Sequence, residues 1–245
     1  MNKNKHILVP EWPAPARVHA ATTLRTGGVS TGGFASLNPA SHVGDKPDHV
    51  AENRRIIKAS LGLPAEPVWL NQTHSNIAVR ADTAAPLTNA DASYTDAADV
   101  VCAVLTADCL PLLACTTDGL QIAAIHAGWR GLLAGIISTT VTAMQPQTEL
   151  LIWLGPAIGP QCFEVGDEVR DLFVAKTPAF AEAFTAHSPG KCLADIYQLA
   201  RIELASLGIS QVFGGNHCTV STPEHFYSYR SNSQTGRMAT LIWRD

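Results

Sequence analysis

Short apolar runs bounded by glycine, proline or Asp-Gly alternate along this chain with stretches of helical spacing, the pattern of an α/β or α+β protein. Residues 18–26 read as a strand that ends in the glycine loop Arg25-Thr-Gly-Gly-Val-Ser-Thr-Gly-Gly33. Asp48 can cap a helix through about Leu61, with Ala51, Ile56, Ile57 and Leu61 at roughly helical spacing. Residues 67–74 read as a short strand leading to a polar corner. A hairpin follows, then a helix over about 128–144 and a buried strand over 149–154. That strand runs into Gly155-Pro-Ala-Ile-Gly-Pro160, which cannot be regular structure. Helices are expected over 166–175, 179–185 and 195–207, the last facing Ile196, Leu199, Ala200 and Leu204 inward. Closing strands are expected over 211–214 and 237–243. There is no internal repeat, linker or low-complexity stretch, so 1–245 reads as a single domain, monomeric by preference.

The hairpin carries the most information. Asp118-Gly119 separates two apolar runs, and a two-residue turn there needs the positive φ that Asp and Gly tolerate. If that turn sets the register, Thr117 pairs with Leu120 and Pro111 falls opposite His126. Pairing can fray at Pro111, which has no N–H to donate. Cys109 lies two residues further along, on the same face as His126 and diagonal to it. A helix start follows the histidine directly. A thiol and an imidazole converging there make a reactive or metal-binding corner.

A third ligand is best supplied by His74, which ends the 67–74 segment in the polar stretch Asn71-Gln-Thr-His-Ser-Asn76. Three protein ligands and one open position are the arrangement of a catalytic zinc site. Each residue taken singly has a plainer reading: a free cysteine is usually a small buried hydrophobe, and a strand histidine is usually satisfied by a carbonyl. Thr106 and Asp108 beside Cys109 are unusual company in a plain core, and the shared face of Cys109 and His126 favours a site. Cys102 and Cys115 lack such neighbours and read as core.

Composition narrows the partners. A formal net charge of −4 gives no reason to propose nucleic acid or an anionic membrane. The N-terminus has only three apolar residues before Pro10, too few for a signal-peptide core, and no stretch reaches membrane-spanning length, so a cytoplasmic protein is expected. In that compartment the six cysteines read as thiols. Gly128-Trp-Arg-Gly131 can bind an anion through backbone N–H groups and Arg130, or simply cap a helix. Gly27-Gly28 and Gly32-Gly33 lack Walker or Rossmann spacing and read as a turn, or as a substrate loop with Asn38 just beyond it. Tyr227-Ser-Tyr-Arg230 can line a pocket for a ring and an anion, or form an aromatic edge.

Asn71-Gln-Thr-His74, Thr106-Ala-Asp-Cys-Leu-Pro111, His126-Ala-Gly-Trp-Arg-Gly131, Leu154-Gly-Pro-Ala-Ile-Gly-Pro160, Phe163-Glu-Val-Gly166 and Tyr227-Ser-Tyr-Arg230 together resemble the YfiH-type family. Its members carry the names polyphenol oxidase (laccase-domain) protein, purine nucleoside phosphorylase and peptidoglycan editing factor. The resemblance spans essentially the whole chain. It implies a four-layer α/β/β/α fold with two mixed sheets, of the cysteine-hydrolase-like kind. It also implies a metal, zinc or in some descriptions copper, on His74, Cys109 and His126.

The activities attached to that family do not share one chemistry. They include phosphorolysis of adenosine, inosine, guanosine and methylthioadenosine, adenosine deamination, phenol oxidation, and editing of peptidoglycan precursors with a wrong first amino acid. A multicopper oxidase needs several copper centres, and nine histidines with no His-x-His pair do not supply them. Redox-inert zinc suits hydrolysis and group transfer instead. Deamination would use Asp108 as the nearest carboxylate, although the zinc deaminase signature is absent. Phosphorolysis would gather phosphate and a purine nucleoside around Arg25, Arg130 and Arg230. Precursor editing, the alternative, would use Cys109 or the metal against an amide. The candidate catalytic residues are therefore Cys109, Asp108 and His126, and the candidate substrate-binding residues Arg25, Asn38, Gln72, Arg130, Tyr229 and Arg230.

Overall fold

The computed structural model describes residues 5–245; of the N-terminal stretch read above, residues 1–4 lie outside them. Its strands, numbered in chain order, form three sheets. A four-stranded sheet runs β1 (Ile7–Leu8), β2 (Val18–Thr23), β13 (Met238–Arg244), β5 (Cys102–Thr106), antiparallel throughout. A six-stranded sheet runs β12 (Val212–Gly214), β8 (Leu150–Leu154), β6 (Leu110–Thr116), β7 (Ile122–Ala127), β4 (Ala92–Thr95), β3 (Ala78–Arg80). Its two outer pairs are parallel and its three inner pairs antiparallel. A small antiparallel sheet runs β10 (Phe184–Ser188), β11 (Lys191–Ala194), β9 (Glu164–Gly166). The chain is thus mixed α/β as expected, but only one of its three sheets is mixed, not two.

The helices are α1 (Pro47–Leu61), α2 (Trp129–Ala134), α3 (Ile136–Met144), α4 (Asp167–Lys176) and α5 (Ile196–Ser206). Strand β6 explains how these layers meet. All seven of its residues are buried, and alternate side chains enter different cores. Leu112 joins Ile137, Phe173 and Leu199 from the helices, while Leu113 joins Val104 and Ile242 from the four-stranded sheet. A strand covered on both faces reads as an unbroken apolar run. Truncating either leucine to alanine is expected to cost about 2–5 kcal/mol. On the far face of the four-stranded sheet, Leu105, Ala239 and Leu241 pack with Ile57 of α1 and with Trp69.

The hairpin register is as the turn predicts, with Pro111 opposite His126 and Cys115 opposite Ile122. The pairing does not fray at Pro111. The first arm, however, is not one strand. The chain leaves the four-stranded sheet after Thr106, turns through Asp108 at φ 92°, and enters the six-stranded sheet at Leu110. Cys109 therefore stands at the seam between two sheets.

Other boundaries moved for local reasons. The helix expected over 128–144 is broken by Gly135 at φ 85°, a left-handed position that ends α2 and starts α3. Helix α1 begins at Pro47 with no side-chain cap, and Asp48 falls in its first turn. Residues 67–74 make only isolated bridges, at Val68 and Asn71. The helix expected over 179–185 is a 3-10 turn over Pro178–Ala183 followed by β10. Asp195 caps α5 by accepting from the Tyr197 and Gln198 N–H groups. Among the described residues, no helix is long and apolar enough to cross a membrane.

Candidate metal centre

Three ligand atoms converge at the seam. One nitrogen each of His74 and His126 and the Cys109 sulfur all lie within 4.8 Å of one another, and they form the one such His/Cys/Asp/Glu group among the described residues. Cys109 Sγ is 3.7 Å from His74 Nε2. A tetrahedral zinc with ordinary Zn–S and Zn–N lengths would hold those atoms roughly 3.6 Å apart, so the donor set fits such an ion in kind and in spacing. Gly128 makes the approach possible. A Cβ there would sit 2.8 Å from His74 Cδ2 and 3.0 Å from Cys109 Sγ.

Asp91 organises the centre from behind. Its carboxylate is fully buried and accepts from His126 Nδ1 at 2.7 Å, which leaves Nε2 of that ring for the metal. It also accepts the backbone N–H groups of Thr73 at 3.2 Å, His74 at 3.0 Å and Ser75 at 2.6 Å, and the Ser75 hydroxyl at 2.6 Å. His74 has φ 60°, a conformation that costs a residue with a Cβ roughly 1–2 kcal/mol. Asp91 holds the loop in it. Burial would raise the Asp91 pKa, but His126 and Ser75 more than offset that and keep it below the usual carboxylate range. The sequence around Asp91 gives no sign of this role, because the groups that donate to it come from residues 73–75 and 126.

The ligands share charge. Burial opposes the Cys109 thiolate, yet His126 and His74 bring its pKa down to about 6. Burial likewise opposes the His126 imidazolium, and Cys109 and Asp91 raise its pKa to about 9. Cys102 and Cys115, read as core, are fully buried, and burial pushes both up to about 12. All six cysteines are free thiols.

A cavity of about 500 Å³ opens over the ligands. Of the residues expected to bind substrate, Gln72, Arg130, Tyr229 and Arg230 line it, as do Asp108 and, unanticipated, His42 and Arg237. Arg25 and Asn38 do not, which corrects their assignment. Arg25 donates to the Ala35 and Pro223 carbonyls and lies over the Tyr227 ring. Asn38 is fully buried, bonded to Ala40 and Asp45, and accepts the Arg237 N–H at 3.0 Å. It thus holds the backbone of a cavity residue from outside. Gln72 spends its amide on both backbone groups of Leu105, at 2.8 and 2.7 Å, which fastens the His74 loop to β5. Asp108 accepts from the Thr219 hydroxyl and the Arg230 N–H, so it pins two loops to the seam.

Among the described residues, Arg130, Arg230 and Arg237 form no ion pair with a carboxylate, although Asp108 acts on Arg237 through space. Arg130 stacks on Trp129 at 4.3 Å and has no hydrogen bond to any described residue. Arg230 reaches the Cys162 and Glu164 carbonyls and lies over Phe163; Arg237 reaches the Thr235 and Gly236 carbonyls and lies over Tyr229. Three guanidinium groups set beside aromatic faces, none in an ion pair with a carboxylate among the described residues, have the chemistry to bind an anion attached to or accompanied by a ring.

With this geometry in hand, the sequence can be placed among known proteins. The model for multi-copper polyphenol oxidoreductase laccase matches residues 19–245. The chain belongs to that family. Among its relatives in the laccase family, "Purine nucleoside phosphorylase YfiH" of Escherichia coli K12 is 50% identical over 240 residues, covering 97% of this chain and 98% of that protein. "Purine nucleoside phosphorylase PA4543" of Pseudomonas aeruginosa is 51% identical over 238 residues, 96% of this chain and 97% of that one. The crystal structure of Neisseria meningitidis protein NMB0706 has a TM-score of 0.94 at 48% identity, covering 98% of this chain and all of that one. Relatives that carry an enzyme's name over nearly their full length support an enzyme here.

Proposed function

We propose that this chain is a zinc-dependent purine nucleoside phosphorylase, acting on adenosine, inosine, guanosine and methylthioadenosine, that also deaminates adenosine in the same cavity. The observation that carries the reading is the pairing, in one cavity, of a His-Cys-His donor set with three arginines that lack carboxylate partners. The names of the relatives support the phosphorylase part of this reading. The family's description also names a laccase, but one three-residue group among the described residues does not provide the ligands of several copper centres.

His74, Cys109 and His126 would hold the zinc, which when bound supplies a Lewis acid for a substrate oxygen. Arg130, Arg230 and Arg237 hold phosphate, each with donors beyond those used on carbonyls or rings. Trp129, Phe163 and Tyr229 offer faces to the nucleoside and exclude water from it. Phosphate held against C1′ in this way reacts as a neighbouring group rather than a solute. In deamination Asp108 carries the proton, since each of its oxygens keeps a lone pair after accepting from Thr219 and Arg230.

The test is to measure phosphate-dependent base release and inosine formation from adenosine in His126→Ala and Cys109→Ala proteins. Both activities should disappear together with bound metal. Full rates in metal-free variants would refute the reading.

A further inference from the structure

His42 has no task in the chemistry above, and its position is unusual. It stands on the loop between Asn38 and α1 and lines two neighbouring cavities. One is the metal cavity; the other is a recess of about 220 Å³ that shares His42 and Leu105 with it. The recess walls include Trp69, Leu70 and Leu87, with Ser41 and Asn71 as polar groups. Apolar walls with a few polar groups suit a flat heteroaromatic base. Arg54, which lies over the Trp69 ring at 4.5 Å and donates to the Pro39 carbonyl, also lines the recess.

His42 is exposed, lines both cavities, and has no hydrogen bond or ion pair with any described residue. Desolvation in the cleft, with the positive charges of Arg237, Arg54 and His126 around it, lowers its pKa. The neutral ring has one N–H and one bare nitrogen, so it can accept a proton on one side while giving one on the other.

We propose that the departing purine occupies this recess and that His42 relays to it the proton it requires. The inference rests on the phosphorolysis reading. In that reaction an oxygen of hydrogen phosphate bonds to C1′ while the C1′–N9 bond breaks and its electron pair leaves with the purine. The new phosphate ester loses its P–OH proton, and the purine gains one on its imidazole ring. His42 takes the first at its bare nitrogen and gives its own N–H to the base, ending neutral as it began. No other reactant is consumed. Arg237, on the metal side of His42, keeps phosphate within reach of one ring nitrogen, and the recess keeps the base within reach of the other.

The experiment compares inosine with 7-methylinosine as substrates for the zinc-loaded wild-type and His42→Gln enzymes, with zinc content and melting temperature measured alongside. The 7-methyl base leaves without needing a proton. His42→Gln should lower kcat on inosine about 100-fold, the usual contribution of a positioned proton donor, and leave kcat on 7-methylinosine within about threefold. Equal losses on both substrates, or none on inosine, would overturn the relay. If the wild-type enzyme releases base from neither nucleoside, the phosphorolysis reading itself fails and the relay with it. A wild-type enzyme active on both with an indifferent variant defeats the relay alone.

Discussion

The two walls of the cavity are built on opposite principles. On the metal side, His74, Cys109 and His126 are locked by the protein itself: one buried carboxylate grips the loop of the first and the ring of the third, and a glycine makes room for the second. Elsewhere around the cavity, Arg130, Arg230, Arg237 and His42 are borne mainly on loops and element ends, and their side chains rest on aromatic rings, on carbonyls or on nothing. The first wall is finished before any substrate arrives, whereas the second is left with donors to spare. Pre-organisation suits an ion that must be held in one geometry. Spare donors suit ligands that enter and leave.

From this contrast, damage to the metal wall should propagate to everything and damage to the other wall should not. The largest effect belongs to Cys109→Ala, which should reduce bound zinc, read by elemental analysis, and with it both activities to background. Next is pH. In the metal-free centre Cys109 titrates near 6 and His126 near 9, and zinc requires the thiolate and a bare ring nitrogen. Binding thus displaces one proton from this pair between those values and two below 6. Zinc affinity should fall as pH drops from 9 to 6, by at least about tenfold per unit, and more steeply below that, in chelator competition. A flat profile would mean that the pair is not charged as described.

Asp91→Asn should weaken zinc binding by about 10–100-fold, the usual cost of losing a carboxylate behind a histidine ligand. The amide would also aim N–H groups at donors of Thr73 and Ser75, so the same chelator titration should be accompanied by a lower melting temperature. Gly128→Ala should act in the same direction by pushing His74 and Cys109 apart. The smallest effect expected is that of Arg130→Ala: about a tenfold rise in KM for phosphate, as for one lost charge-assisted hydrogen bond, with zinc content unchanged. A loss of zinc in that variant would erase the distinction between the walls.

The sequence made one wall far more legible than the other. Asp118-Gly119 fixes a register that carries through to Pro111 and His126, because a two-residue turn and a continuous ladder leave no freedom between them. That was enough to bring Cys109 near His126. Asp91 escaped because a buried acid is recognisable only by the donors around it, and those come from a loop sixteen to eighteen residues earlier. Arg25 and Asn38 misled for the converse reason: polar residues beside a glycine loop look available, yet here they are consumed by backbone groups of Ala35, Pro223 and Arg237. His42 and Arg237 are brought to the cavity by tertiary packing with no local motif. The break at Asp108 was hidden by the apolar residues on both sides of it, which suit two strands as well as one.

Strand β13 has a consequence of a different kind. It lies between β2 and β5, pairing Thr240 with Thr22 on one side and Val104 on the other. The four-stranded sheet therefore has an open gap until residues 238–244 have been synthesised, more than 130 residues after β5. Arg237 arrives with the closing strand. His74, Asp91, Cys109 and His126 emerge much earlier, so the His-Cys-His group is synthesised well before the arginine that completes the cavity lining.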